Sequence, residues 1–236
     1  WSDCRNGVRD IILQKVDVNG NNLWGDHGVV AVNSYGRQED PQLVTDGNGG
    51  AFVIWMDYRD ESDSEGDVYA QHVLSDGSIS WGNDGLPLAN QGGQQASPNI
   101  CSDGEGGAYV IWRDGSSSSY GEVYGTHLSS QGAIAAGTGV PLVTYPSYRS
   151  NPSLNTGGGG DAVLIWNDDR NSDLDLYAQR ISVSGNSLIT QWSDGGKLVC
   201  NAENDQTSPR VAQFGGTQTI MTWEDGRNGY KEVYYQ

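Results

Sequence analysis

The chain has little positive charge and no long apolar run. Its 236 residues include 13 Lys and Arg against 30 Asp and Glu, which gives a formal net charge of −17 at pH 7. Nucleic-acid binding depends on basic side chains that neutralise phosphates, and anionic membrane surfaces attract the same side chains. No apolar stretch reaches the roughly 18 residues that a membrane-spanning helix needs. We therefore expect no nucleic acid as a partner and no membrane insertion.

Cysteine and proline are also scarce, whereas glycine and large aromatic residues are frequent. There are 3 Cys and 7 Pro, but 34 Gly, 12 Tyr and 8 Trp. Three cysteines are too few for a disulfide-built scaffold, and they lack the spacing of a zinc site. Glycine-rich turns between short apolar segments, with no helical periodicity, predict an all-β fold.

An internal repeat organises the whole chain. Tryptophan recurs at intervals of 54, 57, 54 and 57 residues, and proline at intervals of 57, 54 and 57 residues. Two residue types that keep one phase over the full length indicate a repeat architecture. The members of the two series are Trp1, Trp55, Trp112, Trp166 and Trp223, and Pro41, Pro98, Pro152 and Pro209.

Each period predicts four strands, which the second period places at 41–46, 51–55, 68–73 and 79–88. Proline suits the first residue of a strand because it has no N–H to donate. The Asp-Gly and Gly-Gly steps that follow suit two-residue hairpin turns. The second strand is almost wholly apolar, which indicates burial on both faces. Four-stranded antiparallel units of this kind predict the blades of a β-propeller.

The repeat places about five blades in one propeller domain or in a segment of one. Three blades are whole and two are partial, and the sequence leaves open a five-bladed ring or part of a larger one. Because the chain begins and stops in mid-repeat, we expect the parent chain to extend beyond both termini. The predicted boundaries are 1–40 for a partial blade, 41–97, 98–151 and 152–208 for whole blades, and 209–236 for a second partial blade.

The core of the repeat, W-x-D-x-R…VYAQ, resembles a propeller repeat of secreted and surface-attached bacterial proteins. The resemblance covers essentially the whole chain and implies an extracellular or cell-surface location. A weaker similarity joins the turn SDGSISW at 75–81 to the Asp-box of sialidase-type propellers. Here Gly77 precedes Trp81 by four residues instead of three, and the next repeat has neither the Asp nor the Trp. Asp-boxes are folding elements, so this similarity does not imply catalysis.

The Asp-x-Arg pairs after the second strands are interpreted as structural. An Asp at a strand end can accept backbone N–H bonds while the Arg reaches a carboxylate on the next blade. Recurrence in nearly every blade favours this role, since a catalytic site combines unlike residues. The third repeat keeps Asp114 but has Ser116 in place of Arg. The other pairs are Asp3 with Arg5, Asp57 with Arg59, Asp168 with Arg170, and Asp225 with Arg227.

Metal sites find little support in the sequence. The acidic loops after the second strands could offer oxygen ligands to Ca²⁺, but they do not match an EF-hand, and a solvated loop is the favoured interpretation. His72 and His127 share a repeat position with Lys15 and Arg180, which indicates a polar strand residue and no metal ligand. We therefore predict no metal site, with calcium as the one candidate cofactor. The acids concerned are Asp60, Glu61, Asp63, Glu65 and Asp67, and Asp168, Asp169, Asp173 and Asp175.

The three cysteines fall at different phases of the repeat and are interpreted as isolated thiols. The alternative is a bridge between Cys4 and Cys200, since both are expected in loops on one face of the fold. Cys101 is left free in either case.

The function predicted from the sequence is a non-enzymatic binding or structural module whose acidic loop face receives a glycan or a protein. The alternatives are a glycoside hydrolase or sialidase-like propeller, which needs a pair of carboxylates, and a passive spacer or filament subunit. No catalytic residue is predicted. The blade that departs most from the repeat is the third, so its loops give the candidate ligand-binding residues Arg113, Tyr120, Tyr145, Tyr148 and Arg149.

Overall fold

The computed structural model describes residues 1–5, 7–60, 66–115 and 121–236, and these contain strands and turns but no helix. None of the described segments is a helix long and apolar enough to cross a membrane. The twenty strands are β1 Ser2–Asp3, β2 Asp10–Leu13, β3 Val29–Val32, β4 Arg37–Thr45, β5 Ala51–Tyr58, β6 Asp67–Val73, β7 Leu86–Ala89, β8 Gln95–Ser102, β9 Ala108–Asp114, β10 Glu122–Ser129, β11 Gly132–Ala133, β12 Val140–Val143, β13 Arg149–Gly158, β14 Asp161–Asp168, β15 Asp175–Ser184, β16 Ser187–Thr190, β17 Lys197–Cys200, β18 Gln206–Gln213, β19 Thr219–Asp225 and β20 Glu232–Tyr235.

These strands form five antiparallel sheets that follow one another along the chain, numbered here as blades one to five. Blade one holds β1–β3, blade two β4–β7, blade three β8–β12, blade four β13–β17 and blade five β18–β20. In blades three and four the outermost strand is divided into two short pieces, both paired with the long third strand. The first strands of blades two to five contact one another in sequence, β4 with β8, β8 with β13, and β13 with β18. The predicted all-β propeller is confirmed.

The first strands of blades two to five begin earlier than predicted. In blade two it starts at Arg37, four residues before Pro41, so the proline lies inside the strand and not at its first residue. The register shifts between Glu39 and Gln42, and Asp40 has a φ of 53°. A bulge explains how proline is accommodated, because the ladder is interrupted there and needs no N–H. In three further blades the residue before proline also has a left-handed backbone conformation; these residues are Ser97, Asn151 and Ser208.

The turn between the first and second strands is a five-residue loop in blades two, three and five, whereas in blade four Gly158 pairs with Asp161 and leaves the predicted two-residue turn. In blade two Thr45 pairs with Ala51, which leaves 46–50 as the connection. The Asp46 Oδ1 atom accepts hydrogen bonds from the backbone N–H groups of Asn48 (2.8 Å) and Gly50 (2.9 Å). Asp103 closes the corresponding loop of blade three in the same way. A side chain that satisfies the loop's backbone donors makes the longer connection stable.

The core lies between neighbouring blades. As predicted, the second strands of blades two, three and four are almost completely buried. Each of their tryptophans packs toward the preceding blade: Trp55 toward blade one, Trp112 toward blade two and Trp166 toward blade three. A glycine in the outer connection leaves room for each indole; at Gly85, a Cβ would lie 2.7 Å from the ring of Trp55. The fourth strands begin after these glycines, later than predicted.

Candidate functional site

The recurring Trp-x-Asp-x-Arg motif forms a closed polar unit within each blade. In blade two the carboxylate of Asp57 accepts hydrogen bonds from Trp55 Nε1 (2.8 Å), from the backbone N–H of Arg59 (2.9 Å) and from Arg59 Nε (2.8 Å) and Nη2 (2.6 Å). The Arg59 guanidinium also lies 3.9 Å from the ring centre of Tyr69, which itself stacks near Trp55. Blades one, four and five repeat the carboxylate bonds.

This geometry corrects one part of the sequence interpretation. Each Arg binds the Asp of its own motif, and the expected reach to a carboxylate on the next blade is wrong. The reason is that Arg lies two residues after Asp at the strand end, so its planar guanidinium can hydrogen-bond both oxygens of that carboxylate. With its oxygen atoms engaged in this way, the Asp of the motif stabilises the blade.

Blade three departs from the motif, as predicted. Ser116 and the candidate ligand-binding residue Tyr120 lie outside the described residues. Trp112 Nε1 is buried without a hydrogen-bond partner in the described part of the chain. The neighbouring side chain of Arg113 turns toward blade four, where its guanidinium lies 5.4 Å from the ring centre of Tyr148.

The other candidate ligand-binding residues lie together at the rim between blades three and four. Tyr145 and Tyr148 are each 42% exposed, and Arg170 of blade four lies 4.2 Å from the ring centre of Tyr145. The connection 144–148 that carries them is fixed by two carboxylates. Asp169 Oδ1 accepts the backbone N–H of Tyr148 at 2.8 Å, and Asp194 Oδ2 accepts a hydrogen bond from the Thr144 hydroxyl at 3.1 Å.

Arg149 is the exception in this group because it is fully buried, with 1% of its surface exposed. It opens β13 opposite Asp168, and its Nε atom lies 3.8 Å from Asp168 Oδ2. Burial lowers the pKa of the Arg149 guanidinium, although the Asp168 carboxylate opposes this effect.

A pair of carboxyl groups with opposite pKa shifts lies behind this rim. Asp168 and Asp175 face each other across β14 and β15. Burial tends to raise the pKa of Asp168, but hydrogen bonds from Arg170 and Trp166 outweigh it, and the pKa is lowered. Burial raises the pKa of Asp175, which accepts a hydrogen bond from Asn171 Nδ2 at 2.6 Å. Both side chains are closed off from solvent.

The acidic loops offer no assembled metal site in the described residues. Glu61, Asp63 and Glu65 lie outside them. In the remainder, no group of three or more His, Cys, Asp or Glu side chains is placed to hold a metal ion. Cys4, Cys101 and Cys200 are all free thiols, so the alternative bridge between Cys4 and Cys200 is not formed. Burial raises the pKa of the Cys101 thiol to about 12.

His72 and His127 occupy the opposite face of the propeller, where each binds an aspartate. His72 Nε2 lies 3.0 Å from Asp46 Oδ2, and His127 Nε2 lies 2.8 Å from Asp103 Oδ2. These are the same aspartates that close the five-residue loops. The positively charged or polar residue at this repeat position therefore fixes the loop, in agreement with a structural role.

A polar groove crosses the centre of the face that carries the Asp-x-Arg loops, and the sequence analysis did not identify it. We call it the axial groove. It consists of two adjoining cavities of about 420 and 340 Å³ that share Ser97 and Asn99. Its walls come from the first strands of blades two to five and from the end of the second strand of blade two. The residues used below are Asp40, Gln42, Tyr58, Asn99, Asn151 and Arg210.

The bulge before proline forms the wall of the axial groove. Asp40, Ser97 and Asn151 occupy the same left-handed position in three successive first strands, and all three line the groove. Only one of the three is a carboxylate. The proline period could have located this position, but the residues before it resemble a turn, and they come together only because the first strands of successive blades lie side by side.

Similarity to solved structures supports the propeller fold. The arabinanase from Penicillium chrysogenum, solved with arabinobiose, matches with a TM-score of 0.54 and 14% identity over 98% of this chain and 70% of its own. A Hadza microbial sialidase matches with a TM-score of 0.53 and 14% identity over 97% of this chain and 52% of its own. No protein-family model matches the chain. A search of curated proteins found no match either.

These comparisons overturn the expected non-enzymatic role. Both matched structures are glycoside hydrolases by name, which is the class that the sequence analysis kept as the alternative. The prediction of a non-enzymatic binding or structural module is therefore wrong. At 14% identity the likeness itself concerns the fold, and the activity is taken up as a proposal.

Proposed function

We propose that the chain is a glycoside hydrolase whose carbohydrate substrate lies in the axial groove. The observation that carries this proposal is the asymmetry of the groove. Asp40 places a carboxylate at a position where the next two blades have Ser97 and Asn151. A catalytic site is built from unlike residues of several blades, and the axial groove has that character, whereas the Asp-x-Arg motif does not.

The groove wall suits a sugar. The amide nitrogens of Gln42 and Asn99 donate to the Pro98 carbonyl, so their oxygen atoms are left to accept hydrogen bonds from sugar hydroxyls, and Ser97 adds a hydroxyl group. The aromatic ring of Tyr58 adds an apolar face at the mouth of the groove, where the Arg37 guanidinium stacks 3.9 Å from its centre. Ligand sites of this type combine few polar groups with a concave wall.

Asp40 is proposed as the carboxyl group that contacts the glycosidic bond. Hydrolysis breaks the bond between the anomeric carbon and its oxygen, adds water, and uses one carboxyl group as acid and another as base or nucleophile. Asp40 is the only carboxylate among the described residues that line the groove; Asp67, next to Gly66, points to the opposite face of the sheet with Asp57, its register partner. Asp57, opposite Asp67 across the strands, is committed to Arg59 and Trp55.

The names of the matched enzymes suggest which substrates to examine first. They point to arabinan and its oligosaccharides, and to glycans that end in sialic acid. Such polymers occur outside cells, which fits the extracellular location expected from the repeat resemblance. The protein or glycan partner expected at the loop face becomes, in this proposal, the polysaccharide itself.

The experiment is a hydrolysis screen with the purified protein. Reducing-end release is measured on arabinan, on other plant and microbial polysaccharides and on sialylated glycans. On the substrate that is cleaved, Asn99→Ala should raise KM about five- to tenfold, since a lost sugar hydrogen bond is worth about 1 to 1.5 kcal/mol.

Asn48→Ala is the matched control. Asn48 lies on the opposite face, beside the loop that Asp46 closes, and its replacement should leave KM unchanged. Equal effects of the two substitutions would contradict a substrate in the axial groove, and release from none of the polymers would contradict the hydrolase assignment.

A further inference from the structure

One position of the first strand carries an arginine in blade four and a glutamine elsewhere. Gln38, Gln95 and Gln206 each stand three residues before the proline of their blade, and Arg149 stands at the same place before Pro152. Each glutamine donates a hydrogen bond through Nε2 to a backbone carbonyl of the connection just before it. The acceptors are Tyr35 and Gly36, Gln91, and Ala202 and Asn204.

Arg149 does not reproduce this bond. Its Nε, Nη1 and Nη2 atoms are all buried and have no hydrogen-bond partner among the residues that the structure describes. The hydroxyl of Ser147, two residues earlier, is also buried and lies beside the Asp168 carboxylate, whose pKa it helps to lower. Buried polar groups are normally hydrogen-bonded, and a buried charge without partners is strongly unfavourable.

The nearest carboxylate does not compensate Arg149. Asp168 lies 3.8 Å away, beyond hydrogen-bond distance, and it already accepts bonds from Arg170 and Trp166. Two guanidinium groups therefore share one carboxylate. The lowered pKa of Arg149, caused by burial, is consistent with a cation whose charge is poorly balanced.

We propose that Arg149 binds a compact oxyanion at the rim between blades three and four. Carboxylate, sulfate and phosphate share the chemistry that this site recognises, because a guanidinium fork binds two oxygens of one such group. The burial of Arg149 restricts the ligand to a small group that is fully desolvated.

A second arginine strengthens the positive character of this rim. Arg113 of blade three approaches Tyr148, the residue that precedes Arg149, and its buried Nε atom has no hydrogen-bond partner in the described part of the chain. A Cβ at Gly121 would lie 2.2 Å from that Nε atom, so glycine is needed where Arg113 passes. The anion site is independent of the proposed hydrolase activity.

The test compares wild-type protein with Arg149→Gln in sodium acetate, sulfate, phosphate and chloride at equal ionic strength. Arg149→Gln restores the residue of the other blades, so it is expected to fold. In the matching anion, wild-type Tm should rise by about 5 to 10 °C at a hundredfold excess over the dissociation constant. The variant should show only the non-specific shift that excluded salts give to both proteins.

Titration calorimetry of the wild-type protein with acetate, sulfate and phosphate supplies the dissociation constant and a second readout. The account expects saturable binding of one anion per chain, and the anion that binds most tightly identifies the natural group. Equal Tm shifts of the two proteins in every salt would overturn the proposal. Absence of saturable heat with all three anions would overturn it as well, whether or not the variant folds.

Discussion

Breaking the Asp57–Arg59 pair should destabilise the protein far more than breaking an exposed ion pair. The Asp57 side chain is completely buried, whereas 19% of the Arg59 side chain is exposed. Asp57→Asn keeps the shape of the side chain but removes the charge that receives four hydrogen bonds, one of them from Trp55.

The magnitude follows from the burial of the two partners. Removing one member of a buried pair costs about 3 to 5 kcal/mol, since the other is left without compensation. Partial exposure lets Arg59 recover some hydration, so we expect the lower value, about 3 kcal/mol. In a chain of this size that loss corresponds to a Tm decrease of about 6 to 12 °C.

The assay is a double-mutant cycle by chemical or thermal unfolding with Asp57→Asn, Arg59→Gln and the double variant. We expect a coupling energy of about 2 to 3 kcal/mol, as for neighbours in one hydrogen-bond network. Asp161 and Arg180 provide the control, because both side chains are more than a fifth exposed, and their coupling should stay below about 1 kcal/mol. Equal coupling in the two cycles would refute the structural role assigned to the Asp-x-Arg motif.

Two further predictions concern packing and pH. Gly85→Ala should lower the free energy of unfolding by about 2 kcal/mol or more, because it adds a Cβ against Trp55 to a left-handed backbone. Gly82 has a similar φ but open space around it, so Gly82→Ala should lower the free energy of unfolding by only about 1 kcal/mol. Equal losses of stability in the two variants would contradict the packing argument. Asp175→Asn should raise Tm at pH 7. Burial raises the pKa of Asp175 in the folded state, so its ionisation disfavours folding. The gain should shrink as the pH falls into the carboxyl range, and a gain that is constant with pH would exclude this cause.

The fold could be predicted from the sequence because the most regular part of the repeat is an apolar segment. Four similar apolar segments, each ending in Trp, indicate strands that are buried between stacked four-stranded blades. The second strands of blades two, three and four are buried as predicted. The start of the first strand was missed because its opening residues, such as Arg37 to Asp40, are polar and bulged. Alternation, the usual signal of a strand, is interrupted at that point.

The candidate sites were less accessible from the sequence. Departure from the repeat identified Arg113, Tyr145, Tyr148 and Arg149, which lie at one rim, but the burial of Arg149 depends on packing between blades that no local sequence pattern indicates. The axial groove was missed for the same reason. Asp40 and Arg210 are separated by 170 positions in the chain. Both line the groove only because the first strands of successive blades lie side by side. The repeat also led to the prediction of a non-enzymatic role, because the recurring residues are those that stabilise every blade, whereas a catalytic site combines residues that differ between blades.

The most direct test of the proposed activity is the rate of glycan hydrolysis by Asp40→Asn relative to the wild-type protein, on the polysaccharide that the screen identifies. The account predicts that the wild-type protein releases reducing ends and that kcat falls by about a hundredfold or more in the variant, as expected for a group that transfers a proton at the reacting bond. An unchanged kcat in Asp40→Asn would contradict a catalytic axial groove.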